Sequence, residues 1–220
     1  MSGCWRDFVD GNSSDNSLRT HQRQVLAHHL VMTLYGHWPP NDLRGSGSSE
    51  LRDPKFEVLG EIYQGRKPKH LQPTKVELRA FHREVGKILK HRVIWIDHAT
   101  RQVVAEAIER VVRGNKYTCY ACAICSNHMH LVIRRHRDDW RTMWTHLTNA
   151  VRKGLGEFDD VRLDHPVFSE RPYAVYLYSP QDIRGRIEYV MENPEKEGLP
   201  RQDFEFVMAY DGWPFAKKKP

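Results

Sequence analysis

The chain has 220 residues, 40% of them hydrophobic and 28% charged, a globular balance that excludes disordered and fibrous classes. No apolar run reaches the ~20 residues of a membrane-spanning helix. The opening MSGCWRDFVDGNSSDNSLRT also lacks an apolar signal region, so a cytoplasmic protein of one elaborated domain, with no membrane partner, is expected.

Lys and Arg number 34 against 28 Asp and Glu, a net +6. That suits a polyanionic partner without requiring one. The polar stretch 1–20 reads as a poorly ordered N-terminus. His28–Tyr35 (HHLVMTLY) is apolar and β-branched enough for a first strand. GHWPPNDLRGSGSSELRDPK then forms a long irregular connection, dense in turn residues. A helix follows, with Thr74 and Glu77 as a capping box and Leu78, Phe81, Val85 and Ile88 as its apolar stripe. The next helix fits Arg101–Arg113, with Val104, Ala107, Ile108 and Val111 on one side and Gly114 closing it.

Two apolar runs come next, Lys116–Ile124 and His128–Arg134, joined by Cys125-Ser126-Asn127 as a hairpin or sharp turn. Asp138–Lys153 forms a third helix that buries Trp140, Met143, Trp144, Leu147 and Val151. The tryptophans sit at helical spacing and read as core, not as platforms for bases. Tyr173–Tyr178 is a short strand. Ser179 and Pro180 then start a helix that runs to about Glu192, before Pro194.

With the insert at about 36–97 set aside, the order is β, α, β, β, α, β and a further helix. This is α+β: a ferredoxin-like antiparallel sheet with helices packed on one face, plus a C-terminal helix. The span 21–200 reads as one domain carrying the insert, and 201–220 as a C-terminal tail.

Cys119, Cys122 and Cys125 form C-x2-C-x2-C, a spacing that suggests zinc. On a strand, however, alternation puts Cys119 and Cys125 on one face and Cys122 on the other. Three buried thiols are the expectation, without a shared metal.

The chemistry concentrates in Asn127-His128-Met129-His130-Leu131. His128 and His130 flank one apolar residue on a strand, so their imidazoles point the same way while Met129 enters the core. Such a pair can take one divalent cation or can simply lie on a solvated face, and a third ligand decides. Tyr189 and Asn193 are one turn apart on the last predicted helix. Tyr189 offers a nucleophilic hydroxyl and Asn193 a carbonyl ligand, against the plainer roles of core aromatic and helix cap.

The block ICSNHMHLVI followed by YVMENPEKEGLP resembles the single-tyrosine HUH transposases of bacterial insertion sequences. It is most similar to the REP-associated tyrosine transposase branch, in which an NHxH strand precedes a Y-x3-N-P helix. The opening strand, the Trp-rich helix and RPYAVYLYSPQDI extend the similarity over roughly His28 to Leu199. Ser126 stands where proline is common, Phe168 where tryptophan is frequent, and the 36–97 insert is longer than in compact members.

The resemblance implies that 21–200 is a single HUH transposase domain with Tyr189 on a catalytic helix. It further implies that His128, His130 and Asn193 hold Mg²⁺ or Mn²⁺. Tyr189 would attack a phosphodiester, giving a 5′-phosphotyrosine and a free 3′-hydroxyl, on single-stranded, hairpin-forming DNA. The active form stays open between a monomer and a homodimer. Arg134, Arg135, His136 and Arg137, and Arg152 with Lys153, suit phosphate contacts or form solvated faces. Lys217–Lys219 would add non-specific affinity or nothing. Two other classes remain: a domesticated, non-catalytic DNA-binding regulator of the same fold, and an unrelated metal-dependent hydrolase using Glu188 or Glu192. Glu188 lies about 100° around the helix from Tyr189, away from the face that Asn193 shares, which weakens the hydrolase.

Overall fold

The computed structural model describes residues 24–158, 164–169 and 172–214. The N-terminal segment 1–20, Cys4 and Lys217–Lys219 lie outside these described residues. The described chain falls into two compact units, 38–92 on the one hand and 24–37 with 93–214 on the other.

In the larger unit, β1 (Ala27–Thr33), β2 (Cys119–Ile124), β3 (His128–Arg134) and β4 (Tyr173–Leu177) form one sheet. Its order is β2-β3-β1-β4 and the pairs are antiparallel, the arrangement of a split βαβ fold. Leu30 and Met32 of β1 and Met129, Leu131 and Ile133 of β3 share one core with α2 (His98–Gly114) and α3 (Trp140–Phe158). The opposite face carries Ala27, Ala121, Ala123 and Val132, which pack with Ile183 and Val190 of α4 (Pro180–Met191).

α2 and α3 pack on one face as expected, and α4, the expected further helix, covers the other. The run Met129–Ile133 is buried throughout, as expected of a strand enclosed on both sides and not of one with a wet face. Small residues at Ala121 and Ala123 give α4 room to approach β2.

Local signals explain the boundaries. The helix predicted from Arg101 begins a turn earlier, because the Asp97 carboxylate accepts from the Thr100 amide at 2.8 Å. The third helix starts at Trp140, with Asp139 accepting from the Thr142 amide at 2.7 Å, and runs on to Phe158. Gly154 lets it do so beside α2: a Cβ there would sit 3.2 Å from Val103 Cγ1. Trp140 and Trp144 pack on the core as expected.

The smaller unit holds α1 (Lys75–Ile88), with the predicted Thr74–Glu77 capping box and with Phe81 and Val85 buried. Hydrogen bonds order its irregular connection. Asn41 Nδ2 donates to the carbonyls of Phe56 (2.6 Å) and Gly60 (2.9 Å). Gly45, at φ +89°, lies so close to the Gly65 carbonyl that a Cβ would fall 2.0 Å from its oxygen, so only glycine fits.

Residues beyond Leu199 run along β2. Gln202 pairs with both backbone groups of Ile124 (2.8 and 2.9 Å), the Met208 amide donates to the Cys119 carbonyl (2.8 Å), and Phe206 is buried. This segment covers what would otherwise be a bare sheet edge.

The cysteine alternation needs correction. A bulge between Cys119 and Ala121 shifts the β2–β3 register, so Cys119 and Cys122 enter the same core. Cys125 lies past the strand end and is placed with His128 and Glu197 instead. All three are free and buried. Burial pushes the Cys119 thiol up to about 12 and Cys122 well above its ordinary value. The expected outcome is that a disulfide-exchange reagent modifies neither Cys119 nor Cys122 until the protein is unfolded in urea. Stoichiometric zinc lost on their substitution by Ser would contradict this.

Candidate functional site

β3 presents His128 and His130 on the α4 face, their ring centroids 4.7 Å apart and nearly perpendicular. Strand alternation placed both correctly, and Met129 is fully buried on the other face. The β1–β3 register sets Val31 opposite His130 and His29 opposite Val132, so His29 reaches His130 diagonally. Its Nε2 lies 2.9 Å from His130 Nδ1, and the two rings stack at 5.0 Å.

His29 was absent from the sequence-derived site. The doublet His28-His29 at the start of the strand was visible, but which of the two shares a face with His130 depends on a pairing register that one sequence does not reveal. His28 takes the other face, edge-on to Tyr176.

The cluster is dry, with His29 2% and His130 5% exposed. Burial, aided by the charges of Arg186 and His128, pulls the pKa of His29 down to about 3. Burial, then His128, His29 and Arg186, take His130 well below its ordinary value. Both rings are therefore neutral near pH 7. His130 Nε2 and His29 Nδ1 are buried without a hydrogen-bond partner, a state that favours a ligand there.

α4 buries Ile183 and Val190 and leaves the neighbouring Tyr189 42% exposed, so it is no core aromatic. The tyrosine ring stands edge-on to His130 at 5.8 Å and to His29 at 6.0 Å. The Arg186 guanidinium lies 5.2 Å from its centroid and Lys196 Nζ 5.3 Å, within cation–π range. Sequence spacing alone singles out neither cation.

The helix expected to carry both Tyr189 and Asn193 breaks between them. α4 ends at Met191 and α5 (Asn193–Lys196) begins anew, since Pro194 has no amide hydrogen to continue the ladder. Asn193 still reaches back, its Nδ2 donating to the Tyr189 carbonyl at 2.6 Å. That bond uses the amide nitrogen, so the side-chain oxygen is the atom with ligand capacity.

A second group sits at the hairpin end. Donor atoms of Cys125, His128 and Glu197 lie within 4.8 Å of one another. His128 Nδ1 is 2.7 Å from Asn127 Oδ1 and 3.7 Å from Glu197 Oε1. Burial and the Glu197 carboxylate push the Cys125 thiol up to about 12, so it stands protonated and is a poor ligand as it is.

The basic residues are dispersed. Arg134 stacks on Trp213 at 3.9 Å with Asp211 also 3.9 Å away, and Arg135 lies 5.6 Å from the same ring. Arg137 is exposed beside Asp138. Arg152 donates to Asn149 Oδ1 (2.9 Å) and to the Pro166 carbonyl (3.2 Å). Lys153 faces Glu157 at 3.8 Å on the surface.

The buried histidines have a pH consequence. His28, lowered to about 4 chiefly by burial, and His29, lowered to about 3, stay neutral in the folded chain while their unfolded counterparts protonate near 6.5. The unfolded state thus binds more protons below that pH, and folding stability falls as pH drops from about 6.5 toward 4. The expected melting temperature is flat above pH 7 and declines through this window, with a loss on the order of a few kcal/mol. Urea titrations at stepped pH check it, and a midpoint unchanged down to pH 5 would contradict it.

No protein-family model matches the chain, and no curated protein matches it either. Among the described residues no helix is long and apolar enough to cross a membrane. Among solved structures, the chain is similar to a REP-associated tyrosine transposase bound to a REP hairpin, at 13% identity and a TM-score of 0.44, over 94% of this chain and 99% of that one. It is also similar to a transposase candidate of Deinococcus radiodurans R1, at 8% identity and a TM-score of 0.35, over 83% of this chain and 97% of that one. At these identities and scores no chemistry transfers, and what the site does is decided by its own side chains.

Proposed function

We propose that the protein is a metal-dependent, single-stranded DNA transposase that nicks and rejoins DNA through a 5′-phosphotyrosine at Tyr189. One observation carries the reading: an exposed tyrosine, with Arg186 and Lys196 close to its ring, has its centroid 5.8 Å from that of a buried histidine whose Nε2 has no partner. An accessible nucleophile, fixed cations and an unsatisfied ligand atom are what phosphoryl transfer needs in one place.

In this reading His128, His130 and Asn193 would be the donor set for Mg²⁺ or Mn²⁺. They offer imidazole nitrogen and amide oxygen, and the unpartnered His130 Nε2 supports a cation at that atom. A bound cation would supply Lewis-acid polarisation of the scissile phosphate. The chain's own groups do the rest. Arg186 and Lys196 draw the phosphate toward the tyrosine, and the Asn193 bond to the Tyr189 carbonyl holds the break between α4 and α5 rigid. The Tyr189 oxygen attacks phosphorus, the bond to the 3′ oxygen breaks, and a 3′-hydroxyl is released. A second 3′-hydroxyl can then attack the phosphotyrosine and expel Tyr189, so rejoining needs no ATP.

Hairpin-bearing element ends are the proposed substrate, as the motif resemblance implies. Glu192 pairs with Lys196 at 2.9 Å, which leaves the hydrolase reading with less support. The test is to incubate the protein with single-stranded hairpin oligonucleotides and Mn²⁺ and run the products under denaturing conditions. A denaturant-resistant protein–DNA adduct that EDTA prevents is expected. Tight binding with no adduct under any divalent ion would instead favour the non-catalytic regulator.

A further inference from the structure

The His29–His130 pair goes beyond the donor set just described. The two imidazoles meet through His29 Nε2 and His130 Nδ1 at 2.9 Å, both side chains almost wholly out of water. A bond between two imidazole nitrogens needs one N–H and one lone pair, so only two arrangements of neutral rings are open. In the first, His130 carries its hydrogen on Nδ1 and donates to His29. In the second, His29 donates from Nε2, and His130 must carry its hydrogen on Nε2.

The outer nitrogens separate the two. His130 Nε2 and His29 Nδ1 are both buried and unpartnered. In the first arrangement His130 Nε2 is a bare lone pair, able to take a cation. In the second it is an N–H aimed into the same space, which a cation would oppose. The His128 and Tyr189 rings neighbour the His130 ring, their centroids 4.7 and 5.8 Å from its own.

We propose that His29 is the positioning residue of the site: by accepting from His130 Nδ1–H, it locks His130 in the tautomer whose Nε2 is the ligand atom. The proposal rests on the metal-dependent reading above. A partner on the far ring nitrogen commonly orients a ligating histidine, usually a carboxylate or a carbonyl. Here a second, neutral histidine fills that place, which keeps the pocket free of additional negative charge.

The decisive experiment reads the tautomer directly, without activity. The full chain, labelled with ¹⁵N-histidine and free of divalent ions, is examined by long-range ¹H–¹⁵N correlation near pH 7.5. The expected spectrum shows His130 protonated on Nδ1 and unprotonated on Nε2, and His29 unprotonated on Nε2. A His130 hydrogen on Nε2 would overturn the assignment. Alongside it, Mn²⁺ binding is followed by electron paramagnetic resonance for the wild type, His29→Ala and His29→Gln, with circular dichroism reporting the fold.

His29→Ala should weaken Mn²⁺ binding by roughly 10- to 100-fold. His29→Gln, whose amide oxygen can still accept, should stay within a few-fold of the wild type. Equal affinity in all three proteins would overturn the positioning role while leaving the metal reading intact. No Mn²⁺ binding by the wild type, with His130 still protonated on Nδ1, would strike the metal reading itself and remove the task assigned to His29.

Discussion

Tyr189→Phe is expected to eliminate the covalent protein–DNA adduct, a fall of at least about 10³-fold to the floor of the assay. Phenylalanine keeps the ring against His130 and His29 and keeps both cation contacts, but removes the hydroxyl oxygen of this side chain, the proposed nucleophile. The ring is 42% exposed, so stability should change by less than about 0.5 kcal/mol. Any DNA affinity should survive, since binding to a nucleic acid generally rests on dispersed phosphate contacts that weaken with salt. Gel-shift titrations beside the adduct assay separate these effects. Loss of binding and adduct together would assign Tyr189 to recognition and not to attack.

The second large effect belongs to the histidines, and the structure makes them unequal. His128→Ala and His130→Ala should each lower metal-dependent cleavage by about 10²-fold or more. Their stabilities should differ. His130 is buried and bonded to His29, so its removal strands a dry imidazole nitrogen at a cost of about 1–3 kcal/mol. His128 is only half-buried and should cost less. Asn193→Ala should sit between: Tyr189 remains, cleavage falls, and excess Mn²⁺ partly restores it. Equal cleavage by His128→Ala and the wild type would remove that residue from the donor set.

How much of this was legible in the residues follows from which forces are local. The Thr74 and Ser179 caps, the His128–Arg134 strand and the common face of His128 and His130 rest on short-range rules, and they appear as expected. Failures arose wherever two distant segments had to be aligned. His29 reaches His130 through an inter-strand register. Cys119 and Cys122 share a core because of a bulge that no turn residue announces. Arg134, a candidate for phosphate contacts, also stacks on Trp213, a partner from the segment read as a tail that no local pattern announces. Arg186 and Lys196 look like ordinary helix charges in the sequence, and α4 and α5 bring both within cation–π range of the Tyr189 ring. In each case the sequence held the chemical group and the fold supplied its partner.

In the proposed reaction one hydroxyl, that of Tyr189, forms the bond to DNA. Peptide mapping of the purified adduct by mass spectrometry, after nuclease trimming of the oligonucleotide, tests it most directly. A nucleotide mass on the peptide containing Tyr189, linked as phosphotyrosine at a 5′ end, is the expected result. The same mass on a peptide carrying Tyr173, Tyr176 or Tyr178, or a 3′ linkage, would contradict the account.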